Sequence, residues 1–269
     1  MIVFPNAKIN LGLSVLSKRA DGFHEVETVM YPVPFHDVLE FLPSKKFTFS
    51  VYGMSIPGKA GDNLLIKALN LLRQHHQTPP VDIKLLKTIP PGSGLGGGSS
   101  DAVFFLKALN EYFRLSLNTA GLQKYAGLLG SDCSFFLQNT PVVATGRGEK
   151  LQQISLSLKG KFFVVVYPGI HINTEEAYSY ILPRKPEITP GEIVRQPLEL
   201  WKNTLQNDFE LFAFKKYPLL QKIKTAFYNE GALYASMTGS GSAIYAIFDR
   251  PINLRSLFPE FLIWSGFLD

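Results

Sequence analysis

Along the first stretch of the chain, apolar and polar residues take turns. Ala7, Ile9, Leu11 and Leu13 alternate with Asn6, Lys8, Asn10 and Gly12, the period of two that predicts a half-buried strand over residues 6–13. The polar set shares one face, with Lys8 and Asn10 about 6.6 Å apart along it. Lys18, Arg19 and Asp21-Gly22 mark the turn out of this strand, and residues 25–33, 38–42 and 47–52 read as further strands. The spacing then changes. Leu65, Ala68/Leu69 and Leu72 recur at helical intervals behind Asp62-Asn63, where Asp62 suits a cap. Residues 81–86 are an apolar stretch, and Ala102, Phe105/Leu106, Leu109 and Tyr112/Phe113 predict a helix. Leu122, Tyr125/Ala126 and Leu129 predict another, running from Thr119 to a stop at Gly130. Residues 162–167 form a continuous apolar run, a buried strand, and Asn173-Thr174-Glu175-Glu176 caps a helix that includes Tyr178. Residues 182–201 are proline-rich and read as an irregular surface loop. Leu219, Ile223 and Ala226/Phe227 continue helically, and residues 233–236 and 243–248 are strand-like.

Strands and helices thus mix without a regular strand–helix–strand rhythm, which predicts an α+β protein of two domains. A polar, weakly periodic stretch at residues 155–160 suggests the division 1–157 and 158–269. A length of 269 residues, 46% hydrophobic and 18% charged, fits such a folded chain. No apolar run approaches the roughly 20 residues that span a membrane, and the start, Met1-Ile2-Val3-Phe4-Pro5, has no basic-then-apolar signal. The single cysteine, Cys133, excludes an internal disulfide and a cysteine-cluster metal site. The expected compartment is the cytoplasm. A net charge of +5 suits an anionic small-molecule substrate. With no lysine or arginine block, neither nucleic acid nor membrane is an expected partner, and oligomeric state is not written in these patterns.

The chemistry concentrates between Pro90 and Ala102: Pro-Pro-Gly-Ser-Gly-Leu-Gly-Gly-Gly-Ser-Ser-Asp-Ala, five glycines within seven residues, directly before a helix. Glycine serves where backbone takes φ > 0 or approaches a ligand closely. Successive backbone N–H groups there make an anion-binding concavity, and a helix start adds the positive end of its dipole. Ser99, Ser100 or Asp101 suits the N-cap. Candidate phosphate contacts are Pro91, Gly92, Ser93, Gly94, Leu95, Gly96, Gly97, Gly98, Ser99 and Ser100. A Walker A loop needs a lysine before the hydroxyl, and none is present. Gly92, Gly94 and Gly97 satisfy the dinucleotide spacing, but Pro90-Pro91 intervene after the apolar stretch and Glu111, the nearest downstream acid, lies in the helix. Protein-kinase glycine loops join two strands, and a mere linker does not run into a capped apolar helix.

This loop resembles the signature of the GHMP small-molecule kinases. Its triple glycine and Ser-Ser-Asp-Ala are similar to the branch acting on 4-diphosphocytidyl-2-C-methyl-D-erythritol. Asn6-Ala7-Lys8-Ile9-Asn10-Leu11, then Asp21-Gly22-Phe23-His24, resembles that branch's first motif. There the lysine lies beside the acceptor hydroxyl and an aromatic–histidine pair reads the cytosine; Phe23 stands where tyrosine is usual. On the residues alone, this polar face equally suits an edge strand facing solvent. Gly130-Ser131-Asp132-Cys133-Ser134-Phe135-Phe136 resembles Gly-Ala-Asp-Val-Pro-Phe-Phe, whose aspartate is the acid/base; by itself Asp132 also suits an N-cap. Ser131, Cys133 and Ser134 depart from that pattern, and Cys133 reads as a small buried side chain. The resemblance implies adenine contact for Asn63, which also suits a cap, and a second aromatic wall for the base at Tyr178, which also suits the core. Arg147, in a turn similar to Ala-x-Gly-x-Gly-Glu, fits either a diphosphate contact or a surface cation. Met237-Thr238-Gly239-Ser240-Gly241 resembles the third motif, with Thr238, Gly239 and Ser240 facing substrate, and as a bare pattern is a hairpin turn. Asn207-Asp208-Phe209-Glu210 resembles a helix start of the family.

The resemblance implies a GHMP kinase fold, its N-terminal domain like ribosomal protein S5 domain 2 and its C-terminal domain ferredoxin-like. It implies ATP and Mg²⁺, with Ser99 or Ser100 the nearest candidate metal contact. Lys8 and Asp132 would be catalytic, and Asn10, Phe23, His24, Tyr178, Thr238, Gly239 and Ser240 would bind the acceptor. Two other readings stay open here: a kinase of homoserine or mevalonate, and a nucleotide-binding sensor without turnover.

Overall fold

The two periodicities seen in the sequence settle into strands and helices in a computed structural model that describes residues 1–268. In chain order these are β1 (Ile2–Val3), β2 (Asn6–Lys18), β3 (His24–His36), β4 (Val38–Pro43), β5 (Thr48–Gly53), α1 (Leu64–Arg73), β6 (Val81–Lys87), α2 (Gly97–Tyr112), α3 (Thr119–Leu129), α4 (Cys133–Gln138), β7 (Val142–Thr145) and β8 (Lys150–Gln153). They continue with β9 (Phe162–Tyr167), α5 (Thr174–Ser179), α6 (Pro190–Ile193), α7 (Leu198–Thr204), α8 (Phe209–Lys216), α9 (Pro218–Asn229), β10 (Tyr234–Met237), β11 (Ile244–Phe248) and β12 (Leu262–Phe267). Among the described residues no helix is long and apolar enough to cross a membrane. These elements form two compact units, each assembled from separated stretches of chain.

The first unit comprises Met1–Ala7, Phe35–Pro91 and Gly96–Thr140. Its sheet has the order β1-β4-β6-β5, with β5 parallel to β6 and the other pairs antiparallel. The register places Leu39 opposite Leu85 and Phe41 opposite Ile83, so one face presents apolar residues to the helices. α1 offers Leu65, Ala68, Leu69 and Leu72 to this core, and α2 offers Phe105, Leu106 and Leu109. Phe41 meets Phe105 edge-on with ring centres 5.4 Å apart. Alternation along β6 buries Val81, Ile83 and Leu85, and the same parity buries Lys87.

The second unit comprises Lys8–Pro34, Gly92–Leu95 and Pro141–Asp269, described to Leu268. Its antiparallel sheet β10-β11-β9-β12 carries the apolar run Phe162–Tyr167 on an inner strand, paired on both sides and buried on both faces. A further sheet has the order β2-β3-β7-β8. The core joins Leu13, Val15 and Val26 to Val164, Val166, Phe209, Ile223, Phe227 and Ile244.

Several expectations are corrected. Residues 6–13 are buried on both faces, not half-buried, so the polar face of β2 is not a solvent face. The stretch expected as a loop at residues 182–201 contains α6 and the start of α7. α6 begins at Pro190 behind a reciprocal capping box of Thr189 and Glu192, a signal too short to show as periodicity. The cap of α1 is Asn63, whose Oδ1 accepts from Leu65 N at 2.9 Å, while Asp62 belongs to a preceding 3₁₀ turn.

Candidate active site

The glycine loop takes the left-handed conformations its composition demands, with φ of 68°, 85° and 74° at Gly92, Gly94 and Gly96. Gly96 itself is the N-cap of α2, three to five residues ahead of the expected Ser99, Ser100 or Asp101. The physical reason is that a glycine cap offers no side chain to the first N–H groups of the helix. They lack intrahelical partners and stay available to an anion. Gly98 has open space where a side chain would stand, and Ser100 and Asp101 are buried within the helix.

Residues Gly92–Leu95 belong to the second unit, where backbone and hydroxyl contacts fasten them. Lys8 N donates to Leu95 O at 2.9 Å, and Ala243 N donates to Ser93 O at 3.1 Å. A Cβ on Gly94 would lie 2.0 Å from Thr238 O, so only glycine fits there. Gly92 lies under the His171 ring, whose Nδ1 would stand 3.1 Å from an added Cβ.

Thr238 is the hub of this cluster. Its hydroxyl accepts from Asn10 N at 3.1 Å, and its proton faces Gly94 O at 3.1 Å and Asn10 Oδ1 at 3.3 Å. Lys8, only 3% exposed, donates from Nζ to Asn10 Oδ1 at 2.6 Å. Asn10 Nδ2 donates to Thr28 at 3.1 Å, and Tyr245 donates to Asn10 O at 2.8 Å. Asn10 is thus occupied in aiming Lys8. The turn between β10 and β11 is held from behind by Asn207, whose Nδ2 donates to Met237 O and Gly239 O at 2.8 Å each. Glu210 accepts from Met237 N at 2.8 Å and Ser236 at 3.0 Å. Thr238 is wholly buried; Gly239 and Ser240 are partly exposed, and Ser240 meets Thr174 at the start of α5 at 2.9 Å.

Two of the residues expected to read the base meet in the second unit. His24 stacks on Tyr178 with ring centres 4.8 Å apart and 12° between planes. Tyr178 in turn meets Phe209 edge-on. Burial, helped by nearby Lys18, holds the His24 imidazole below its usual range, so it is neutral at pH 7 and offers one donor and one acceptor. Phe23 is 53% exposed, and the Arg147 guanidinium lies 4.7 Å from its ring centre. Arg147 is exposed, as a surface cation would be, and lies over that aromatic ring.

In the first unit, Asp132 occupies the N-cap position of α4, but its side chain makes no capping hydrogen bond. Cys133 beside it is fully buried, and burial pushes its thiol up to about 11, as suits an inert core residue. Asn63 spends its carbonyl oxygen on α1. No group of three or more His, Cys, Asp or Glu side chains among the described residues is placed to hold a metal. Sequence reasoning missed the supporting roles of Asn207 and Glu210, and passed over Asp37 and Lys87. A lysine at the buried parity of a strand was the signal for the last of these.

The GHMP kinases N terminal domain model matches residues 63–141, and the GHMP kinases C terminal model matches residues 191–258. A 4-diphosphocytidyl-2-C-methyl-D-erythritol kinase of Parabacteroides distasonis is 45% identical over 268 residues, covering 99% of both chains. One from Bacteroides fragilis is 48% identical over 252 residues, 92% of each. The chain belongs to this kinase family. The crystal structure of a 4-(cytidine 5'-diphospho)-2C-methyl-D-erythritol kinase superposes with a TM-score of 0.85 at 32% identity, covering 99% of this chain and 98% of that one. A Methanococcus jannaschii mevalonate kinase reaches 0.73 at 16% identity over 100% and 98% of the two chains, a likeness of fold. The two-domain α+β architecture is that of the GHMP kinases.

Proposed function

We propose that the protein transfers the terminal phosphoryl group of ATP to the 2-hydroxyl of 4-diphosphocytidyl-2-C-methyl-D-erythritol, forming the 2-phosphate in non-mevalonate isoprenoid precursor synthesis. The names and full-length likeness of the relatives support the substrate. The observation that carries the chemistry is the buried Thr238 hydroxyl, which joins Gly94 of the phosphate loop to Asn10 and through it to Lys8.

Phosphoryl transfer asks a protein to position reactants and stabilise charge. The loop 92–100 would present backbone N–H groups to the ATP phosphates, with the start of α2 adding its dipole. Lys8, fixed on Asn10, would stand by the acceptor oxygen and ease loss of its proton, and Asp132 would take that proton at a carboxylate oxygen. Gly239 and Ser240 would face the acceptor, and Phe23, His24 and Tyr178 its cytosine, with Asn63 toward the adenine. Ser100 fits a part in holding Mg²⁺, because its Oγ is buried and receives or gives no hydrogen bond among the described residues. When bound, Mg²⁺ supplies charge neutralisation between the ATP phosphates. The family models, at residues 63–141 and 191–258, lie on either side of the proposed sequence division 1–157 and 158–269, which differs from the compact units in that those place residues 8–34, 92–95 and 141–157 with the second. The proposed compartment is the cytoplasm.

The test is ADP release with Mg-ATP and the cytidyl acceptor, with mevalonate, homoserine and no acceptor as controls. Release with the cytidyl acceptor alone is the expected result; release with another alcohol would discard the cytosine reading. Lys8→Met and Asp132→Asn should each lower kcat by about 100-fold or more while leaving ATP affinity within a few-fold. Near-normal turnover in Asp132→Asn would remove it as the base.

A further inference from the structure

Lys87 closes β6 on the parity that buries Val81, Ile83 and Leu85, so its ammonium lies inside the first unit with 2% of the side chain exposed. Two carboxylates meet it there: Asp37 Oδ2, and Asp101 Oδ2 at 2.7 Å. Asp37, fully buried, turns its other oxygen to the chain just beyond β6, accepting from Thr88 N at 2.6 Å and Ile89 N at 2.8 Å. Asp101 lies four residues into α2 from Gly97. A Cβ on Gly97 would lie 2.9 Å from Lys87 Nζ and 2.8 Å from Ile89 Cγ2, so the first turn of the helix rests on the lysine and on residue 89.

Lys87 therefore joins the arm that enters the glycine loop, residues 88–89, to the arm that leaves it, residues 97–101. A buried ion cluster is a poor device for stability alone, because desolvation consumes most of the attraction and apolar residues fill such a space as well. This one also leaves Asp101 Oδ1 buried without a hydrogen bond from any described residue. What it supplies is direction, since each bond fixes an angle that an apolar contact leaves free.

We propose that Asp37, Lys87 and Asp101 are positioning residues for the nucleotide, a buried ionic clamp that holds both arms of the glycine loop at the spacing its backbone N–H groups need to meet phosphate. The inference rests on the nucleotide-binding reading of that loop, and is independent of which alcohol is the acceptor.

Asp101→Asn separates position from charge. It keeps the shape and can only lessen negative charge near the phosphate site, so an electrostatic effect alone would tighten nucleotide binding or leave it unchanged, whereas loss of the clamp weakens it. The expected result is a three- to tenfold rise in the Kd for ADP by calorimetry, with a larger rise, tenfold or more, in Lys87→Met. The KM for the cytidyl acceptor should stay within twofold in both. Amide exchange of residues 88–98 in the free protein should quicken in both variants, with residues 162–167 unchanged. ADP affinity equal to or tighter than wild type in folded Asp101→Asn overturns the proposal, as does a parallel loss of nucleotide and acceptor affinity. Should Lys87→Met fail to fold, Asp101→Asn and Asp37→Asn carry the comparison. Should the wild-type protein bind no ADP, the nucleotide reading falls and exchange decides the clamp: unchanged rates at residues 88–98 overturn it.

Discussion

At the scale of single residues, the site depends on side chains that are absent as much as on those present. Gly94 has φ of 85° and Thr238 O where a Cβ would stand. Gly94→Ala should cost about 2 kcal/mol or more, read by urea denaturation, and should weaken ATP binding at least tenfold. An unchanged ATP affinity would show that residues 92–95 do not contact phosphate. Thr238→Val keeps the volume and removes a hydroxyl shared by Gly94, Asn10 N and Asn10 Oδ1. It leaves a buried amide without its acceptor, at about 1–3 kcal/mol. A kcat that falls while ATP binding holds would place its effect on the aim of Lys8. The roles of Gly94 and Thr238 were only half legible in sequence. Glycine content raised the expectation of a phosphate loop, but that Thr238, 144 positions away, supplies the hydroxyl facing Gly94 O is a fact of tertiary packing. Likewise the face of Asn6, Lys8 and Asn10 was legible as polar, while its burial depended on neighbours that periodicity does not name.

At the scale of elements, the strands and helices with long periodic patterns lie where alternation and helical spacing place them; β9 spans residues 162–167 as read. The misses are termini and short pieces. The cap of α2 moved to Gly96, whose left-handed backbone leads the chain into the helix without a capping side chain. α6, four residues long, has too few turns to repeat an apolar position. The start of α8 shows what such ends can do: Asn207 and Glu210 lie beside or within its first turn and together hold residues 236–239. Asn207→Ala removes two bonds to backbone carbonyls and should cost about 1–3 kcal/mol by urea denaturation. It should also raise the KM for the acceptor more than that for ATP. Equal changes in both would make Asn207 a residue of general stability.

At the scale of the whole molecule, ionisation links the loop to stability. Burial, against the pull of Lys87, pushes Asp101 up to about 7 from an ordinary 3.8, and Asp37 adds to the rise. Between those values the folded chain keeps a proton that the unfolded chain has lost. The stabilisation from this group is therefore full below 3.8 and disappears as pH climbs through about 7. Unfolding free energy measured from pH 4 to 8 should decline less in Asp101→Asn than in wild type. Parallel curves would mean that Asp101 titrates alike in both states.

The interleaving of the two units also has a consequence for synthesis. The first unit has all its segments once Thr140 has left the ribosome, whereas the second needs Lys8–Pro34 and also the strands as far as β12. Residues 8–34, made among the earliest, must wait for partners made among the last; Asn10 meets the Tyr245 hydroxyl, 235 positions downstream. During translation the lysine strand is consequently an orphan. A nascent chain halted after residue 157 should give protease-resistant fragments from the first unit alone, and residues 8–34 should become resistant only after the full chain is released.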